Sequence, residues 1–179
     1  MDSSPELTYS YDDCCQGTCG ACWAFATTGA LEGHYYLATG ALRALSEQQL
    51  IECSSNFGNT GCKGGNMVEA YQYILANGGI DSERDYNYTM NDFEPCWTAA
   101  QNRTVARMHN FTTIPNGSEP ALMAAASLGP VAVAIDGTDP VFQHYRSGVL
   151  SGKCGTKLNH GVLIESVLSI VFHTSAGRY

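Results

Sequence analysis

Basic side chains are scarce in this chain: nine Lys and Arg stand against 17 Asp and Glu, for a formal net charge of −8. Binding to nucleic acid requires clustered Lys and Arg that displace counterions, and adhesion to an anionic membrane surface requires the same, so the composition argues against both partners. Internal repeats and low-complexity segments are also missing. What remains is a chain of 179 residues, enough for one sizeable core or for two small lobes sharing an interface. The opening Met1-Asp2-Ser3-Ser4-Pro5-Glu6-Leu7 has no basic start and no apolar run, so no signal peptide is visible.

Cysteine, by contrast, is plentiful. Eight cysteines in so short a chain suit a compartment where disulfides persist. Four Asn-x-Ser/Thr sequons, at Asn87, Asn102, Asn110 and Asn116, point the same way and suggest one surface exposed in the secretory pathway. The expected location is therefore lysosomal or secreted, with a leader lost from a longer precursor.

The most informative stretch is Gln16-Gly17-Thr18-Cys19-Gly20-Ala21-Cys22-Trp23-Ala24-Phe25, a glycine-broken loop that runs into an apolar helix. Cys22 falls where the helical pattern begins. Its sulfur would sit among unpaired N–H groups at the positive end of the helix dipole, which favours thiolate over thiol. The Gln16 amide and the Cys22 N–H could together hold an oxygen that develops negative charge beside the sulfur.

Downstream, apolar and small residues at three- and four-residue spacings predict a helix from Cys22 to about Thr39, stopped by Gly40. Ser46-Glu47-Gln48-Gln49 reads as a capping box, with Leu50, Ile51 and Cys53 on the inner side of the helix it starts. Asn66 caps a third helix that Gly78-Gly79 ends. A short alanine-rich helix follows Ser118 and Pro120. Strands are expected over 130–136 and 159–164, with Val167 to Phe172 as a candidate third.

Cys19-Gly20-Ala21-Cys22-Trp23 is a local signature of papain and cathepsins, in which the histidine follows about 130–150 residues later. His160 follows Cys22 by 138. Four further blocks resemble that family in its own order: Leu45 to Cys53, Gly61 to Gly65, Gly129 to Ile135, and Leu158 to Ile164. Over residues 16–164 the chain therefore resembles a papain-family cysteine endopeptidase of the cathepsin type.

The resemblance implies an α+β fold of two lobes, a helical left lobe over about 16–105 and a right-lobe β-barrel over about 106–164. Residues 1–15 and 165–179 do not resemble the family. It further implies Cys22 as nucleophile, His160 as its base and Gln16 as oxyanion donor. Gly64 and Gly65 would pair with the substrate backbone, while Met67, Ala134, Leu158 and Gly161 would line an apolar pocket for the residue before the scissile one. Disulfides Cys19–Cys62 and Cys53–Cys96 are expected by the same likeness, with Cys154 left over and no role assigned to Cys14 or Cys15. The implied partners are peptide or protein substrates and cystatin-type inhibitors of a monomer, with no cofactor and no metal.

Cys19 and Cys22 as a redox pair would require a preceding strand in a βαβ pattern, and none is visible. Zinc held by Cys14, Cys15, Cys19 and Cys22 suffers from an adjacent pair with poor tetrahedral spacing. His34, His109, His144 and His173 read as surface or structural. The family completes its triad with an asparagine in an Asn-Ser-Trp-Gly block, whereas residues 165–179 hold neither Asn nor Trp. The alternative function is therefore a truncated, catalytically impaired papain-like product that at most binds peptides or inhibitors, with a right-lobe barrel that has too few strands to close.

Overall fold

A computed structural model describes residues 16–97, 103–147, 149–150, 154–165 and 172–173. Cys14, Cys15, Asn102 and most of the candidate third strand lie outside the described residues. Helix α1 (Cys22–Thr39) is followed by α2 (Glu47–Cys53), two short 3₁₀ turns (Ser55–Phe57 and Gly61–Lys63) and α3 (Met67–Asn77). After an irregular stretch come α4 (Glu119–Ala126), strand β1 (Val131–Ile135), the one-turn helix α5 (Pro140–Gln143), β2 (His160–Ile164) and β3 (Phe172–His173). Among the described residues no helix is long and apolar enough to cross a membrane.

Local signals account for the element ends. Gly40 closes α1 in the left-handed region at φ 73°, its N–H donating to the Tyr36 carbonyl. Ser46 caps α2 by accepting from the Gln49 N–H at 3.0 Å, and Asn66 caps α3 by accepting from the Val68 N–H at 2.8 Å. The return half of the expected capping box is not made. Instead the Gln49 side-chain oxygen accepts from the Asp81 N–H at 2.8 Å, and the Ser46 N–H donates to the Asp81 carbonyl at 3.1 Å. A distant segment has taken both groups, which ties the loop after α3 to the start of α2.

Helix α1 is the shared wall of the molecule. One side packs on α2 and α3, in a core where Trp23, Leu45, Leu50, Ile74 and Ile80 are fully buried. Its other side carries β1 and β2. A helix buried on both sides must be lined with small residues, and Ala24, Ala26 and Ala30 are all buried. Gly33 lets Pro130, just ahead of β1, come so near that a Cβ there would stand 2.4 Å from the proline ring.

The sheet is antiparallel in the order β1-β2-β3, with Val131 opposite Ile164 and Ile135 opposite His160. Within the described residues it is an open sheet, the incomplete barrel of an α+β fold. Its cover is uneven. Val162 and Ile164 on the central strand are buried against α1, whereas Val131 and Val133 on the edge strand are half-buried. Helix α5 was not foreseen; Asp139 caps it by accepting from the Val141 N–H at 2.8 Å, and four residues carry too little periodicity to announce it.

An acidic layer is enclosed between α1, α2 and the loop after α3. Glu32 accepts from the Leu45 N–H at 2.8 Å, Glu47 accepts from the Thr28 hydroxyl at 2.6 Å, and Glu83 accepts from the Tyr88 N–H at 2.7 Å. Neither carboxylate oxygen of the fully buried Asp81 has a hydrogen-bond partner among the described residues. Burial raises Glu47 well above its ordinary value, with Glu83 and Glu32 adding to the rise and the Thr28 bond opposing it. Burial likewise raises Glu83, and it pushes Asp81 up to about 6.

Carboxyls raised in the fold stabilise it fully below their unfolded values, near ~4, and lose that contribution as pH rises through their folded values. His160 works in the opposite sense, because burial lowers it and its protonation opposes folding as pH falls. Asp85 and Asp136, lowered first by hydrogen bonds from Ser82 and Thr138, lose their contribution in acid. Three raised carboxyls outweigh one histidine between about pH 4 and 6. The chain is expected to melt at a higher temperature at pH 5 than at pH 7.5, by on the order of 2–4 °C for each kcal/mol recovered. Glu47→Gln should flatten that rise in a thermal scan.

Candidate active site

The loop that precedes α1 is held from the far side of the helical region. A disulfide joins Cys19 to Cys62, and the Gly20 N–H donates to the Cys62 carbonyl at 2.9 Å. A second disulfide, Cys53 to Cys96, ties the end of α2 to the chain beyond α3. Ala21 occupies the N-cap of α1 and offers no side-chain cap, so the first N–H groups of the helix are left to whatever lies in front of it. Cys22 is the first residue of that helix, a free thiol that is half-buried. Gln16 is half-buried too, and its carbonyl accepts from the Cys19 N–H at 3.2 Å to close the turn leading to Cys22.

A face of the sheet meets this turn. A Cβ on Gly161 would lie 3.1 Å from the Cys22 carbonyl oxygen and 3.2 Å from the Trp23 Cα, so the backbone of β2 rests directly on the first turn of α1. His160 is the preceding residue, its Cα only about 3.8 Å from that of Gly161. The start of β2 thereby carries the histidine to the N-terminus of the cysteine helix. Its imidazole is half-buried, lies against Gly137, and is held below its ordinary value by burial. The Asn159 side chain is engaged with the same loop, accepting from the Gly137 N–H at 2.9 Å and donating to the Thr138 hydroxyl at 3.4 Å. No hydrogen bond to the His160 side chain is present among the described residues.

The two adjacent glycines differ. Gly64, at φ 128°, uses its own groups internally: its N–H donates to the Gly61 carbonyl at 3.3 Å and its carbonyl accepts from the Thr60 N–H and hydroxyl at 2.9 and 2.7 Å. Gly65 makes no hydrogen bond with its backbone groups among the described residues, and it is exposed. Only glycine fits there, since a Cβ would stand 2.6 Å from the Trp23 indole and 2.5 Å from the Asn59 amide oxygen. Asn59 itself is buried, accepting from the Asn66 N–H at 2.7 Å and donating to the Ser54 hydroxyl at 2.9 Å. The strip therefore lies across the residue next to Cys22 and presents one unused peptide edge.

Of the four pocket candidates, Gly161 and Ala134 are direct cross-strand partners. Met67 is half-buried at the first turn of α3, and Leu158, just before β2, is 66% exposed. The sequon residues Asn87, Asn110 and Asn116 are exposed. Cys154 is a free, exposed thiol remote in sequence from the motif. His34 donates to the Pro130 carbonyl at 3.0 Å, while His109 and His144 are exposed. Sequence reasoning missed Asn59, Tyr88 and Gln48, which hold the strip and the loop in place; their only signal was position within the matching blocks or near them.

The helix-borne Cys22, the strand that starts at His160 and the Gly64-Gly65 turn thus lie around one end of α1. Comparison with known proteins identifies the family. The model of the papain family of cysteine proteases matches residues 13–166, and the chain belongs to that family. Cysteine proteinase COT44 of Brassica napus is 45% identical over 148 residues, covering 83% of this chain and 44% of its own length. Germination-specific cysteine protease 1 of Arabidopsis thaliana is also 45% identical over 148 residues, covering 83% of this chain and 39% of its own. The crystal structure of the proform of Amb a 11, a cysteine protease and ragweed pollen allergen, superposes with a TM-score of 0.78 at 40% identity, over 84% of this chain and 46% of that one. The chain thus spans less than half the length of these relatives.

Cys22 and Cys154 are both free, and only Cys22 has a helix N-terminus and a neighbouring histidine-bearing strand. Iodoacetamide at pH 6 is expected to alkylate Cys22 roughly tenfold or more faster than Cys154 despite the greater exposure of Cys154, as read by peptide mass spectrometry. His160→Ala should remove most of that difference. Equal rates for the two thiols would show that the cysteine is not activated.

Proposed function

We propose that this chain is the nucleophile-bearing part of a cysteine endopeptidase that cleaves peptide bonds through a Cys22 thiolate paired with a His160 imidazolium. The observation that carries this reading is the close approach of Gly161 to the Cys22 and Trp23 backbone, which supports a pairing of the adjacent His160 with Cys22. The thiolate attacks the peptide carbonyl carbon. The oxygen that becomes negative is held by the Cys22 N–H and the Gln16 amide. As the C–N bond breaks, His160 gives its proton to the departing amine, leaving a thioester. His160 then takes a proton from water as the water attacks the thioester, and the acid is released with the thiol restored.

Gly65 supplies the edge on which an extended substrate pairs, since its N–H and carbonyl are not otherwise used. Met67, Ala134, Leu158 and Gly161 bound an apolar pocket with no charge to match Arg or Lys. Substrates therefore carry a bulky apolar residue one position before the scissile residue. The exposed Asn87, Asn110 and Asn116 support glycosylation and a lysosomal or secreted location. Cystatin-type inhibitors are the expected protein partners of a monomer.

A second reading is catalytic impairment. The described residues provide no hydrogen bond that orients the His160 ring, so the imidazole samples unproductive tautomers and rotamers. By analogy with a serine protease, loss of the orienting group costs less than loss of nucleophile or base.

Dipeptidyl fluorogenic substrates separate the readings. In the first, the unsubstituted chain turns over a substrate with Leu or Phe before the scissile residue roughly 10- to 200-fold better than one with Ala, each buried methylene contributing about 0.8 kcal/mol. Cys22→Ala abolishes turnover. Preference for Arg at that position would overturn the pocket, and absence of turnover with intact binding would favour the second reading.

A further inference from the structure

The segment from Tyr88 to Asp92 crosses behind the site and touches both of its loops. The Tyr88 hydroxyl donates to the Gln16 carbonyl at 2.8 Å, the same oxygen that closes the turn by accepting from the Cys19 N–H. The Tyr88 ring is itself fixed edge-on against Phe25 of α1, with centroids 5.1 Å apart. Met90 brings its sulfur to within 2.7 Å of where a Gly17 Cβ would stand. The Asp92 carboxylate accepts from the Cys62 N–H at 3.0 Å, across the disulfide from Cys19.

This segment is held in place rather than merely laid there. Met90 is the one described residue other than glycine with positive φ, at 61°, a conformation a methionine adopts only when its surroundings impose it. Those surroundings are the Gln48 side chain, whose oxygen accepts from the Thr89 N–H at 2.9 Å while its nitrogen donates to the Asn91 carbonyl at 2.7 Å. Gln48 is buried in α2, so the amide grips the peptide groups on either side of Met90 from a rigid helix.

We infer that Tyr88 is a positioning residue for the oxyanion hole, acting through the backbone of Gln16. This rests on the peptidase reading and deepens it. An amide donor stabilises the developing oxyanion only if it is already in place, and removing such a donor outright costs about 10²–10³-fold in rate. The Gln16 carbonyl accepts from the Cys19 N–H and from the Tyr88 hydroxyl, and both contacts help to set the backbone from which its side chain extends. Loss of the hydroxyl leaves the turn closed but less firmly placed, so a part of the Gln16 contribution is lost.

The experiment uses Tyr88→Phe, which keeps the ring contact with Phe25 and removes only the donor, with a thermal scan to confirm that it folds. An N-blocked dipeptidyl aldehyde with Leu before the aldehyde residue is titrated by calorimetry. The Cys22 sulfur bonds to the aldehyde carbon as the carbonyl π bond breaks, the thiol proton passes to the oxygen, and that oxygen occupies the oxyanion position. Iodoacetate alkylation of Cys22 serves as the control, since displacement of iodide at a methylene needs no oxyanion donor. The expected result is aldehyde affinity weakened roughly three- to tenfold, the range of one net hydrogen bond, with the alkylation rate unchanged. Tyr88→Phe should weaken it no further in a Gln16→Ala background. Unchanged affinity, or an equal loss in both Gln16 backgrounds, would overturn the role of Tyr88. Failure of the unsubstituted chain to form the adduct would instead overturn the peptidase reading and this inference with it.

Discussion

Close approach between the first turn of α1 and the backbone of β2 is the constraint on which the rest depends. At Gly161 a Cβ would stand 3.1 Å from the carbonyl oxygen of Cys22 and 3.2 Å from the Cα of Trp23, a tight fit that keeps the strand close on the first turn of the helix. Everything that α1 presents to the sheet follows suit: Ala26 and Ala30 are buried, and Gly33 accepts Pro130 where a larger residue would push β1 away. A Cβ at Gly161 would ask β2 and the first turn of α1 to give by a few tenths of an ångström, and a larger side chain by more. The packing of β2 on α1 therefore sets where His160 stands relative to Cys22, because Gly161 is the next residue of the same strand.

The opposite side of α1 is governed by electrostatics as well as packing. Glu32, Glu47, Asp81 and Glu83 share an enclosed layer in which Glu32 and Glu83 accept from backbone N–H groups and Glu47 from the Thr28 hydroxyl. Among the described residues Arg103 is the one cation in an ion pair near it, with Asp85 at 3.2 Å, and that partly exposed pair contributes little. Such a layer is held most readily with its carboxyls protonated. A fold of this kind is more stable in mild acid than at neutral pH.

Much of the helical region was legible in the sequence because its determinants are local. Ser46, Asn66, Gly40 and Gly78 each sit within a few residues of the backbone groups they satisfy. The cysteine motif was legible for the same reason, as loop, nucleophile and helix start are contiguous. What escaped were pairings across long separations: Gln49 to Asp81, Gln48 to Thr89 and Asn91, Tyr88 to Gln16. Glutamine and tyrosine at these positions look in sequence like ordinary helix and loop residues, and only folding shows which backbone group each one satisfies. The distinction between Gly64 and Gly65 was likewise out of reach, since it turns on Thr60 claiming one carbonyl and Trp23 crowding one Cα. On the sheet, strands of five residues were found from their apolar runs, whereas the one-turn helix α5 was too short to leave a pattern.

The two disulfides have a consequence of connectivity. Each closes a loop of the same span, 43 residues, and the loops overlap: 19–62 and 53–96 share the stretch from Cys53 to Cys62. A single cut at any peptide bond between Cys19 and Cys96 therefore falls inside at least one covalent ring, and the two halves stay tied. Beyond Cys96 no such ring protects the chain among the described residues, and the exposed run through Asn110 and Asn116 leads to the sheet that carries His160. In surroundings rich in proteolysis, nicks in the helical region would go unnoticed as losses of mass, while one nick in that run would leave histidine and cysteine on pieces held together by packing alone.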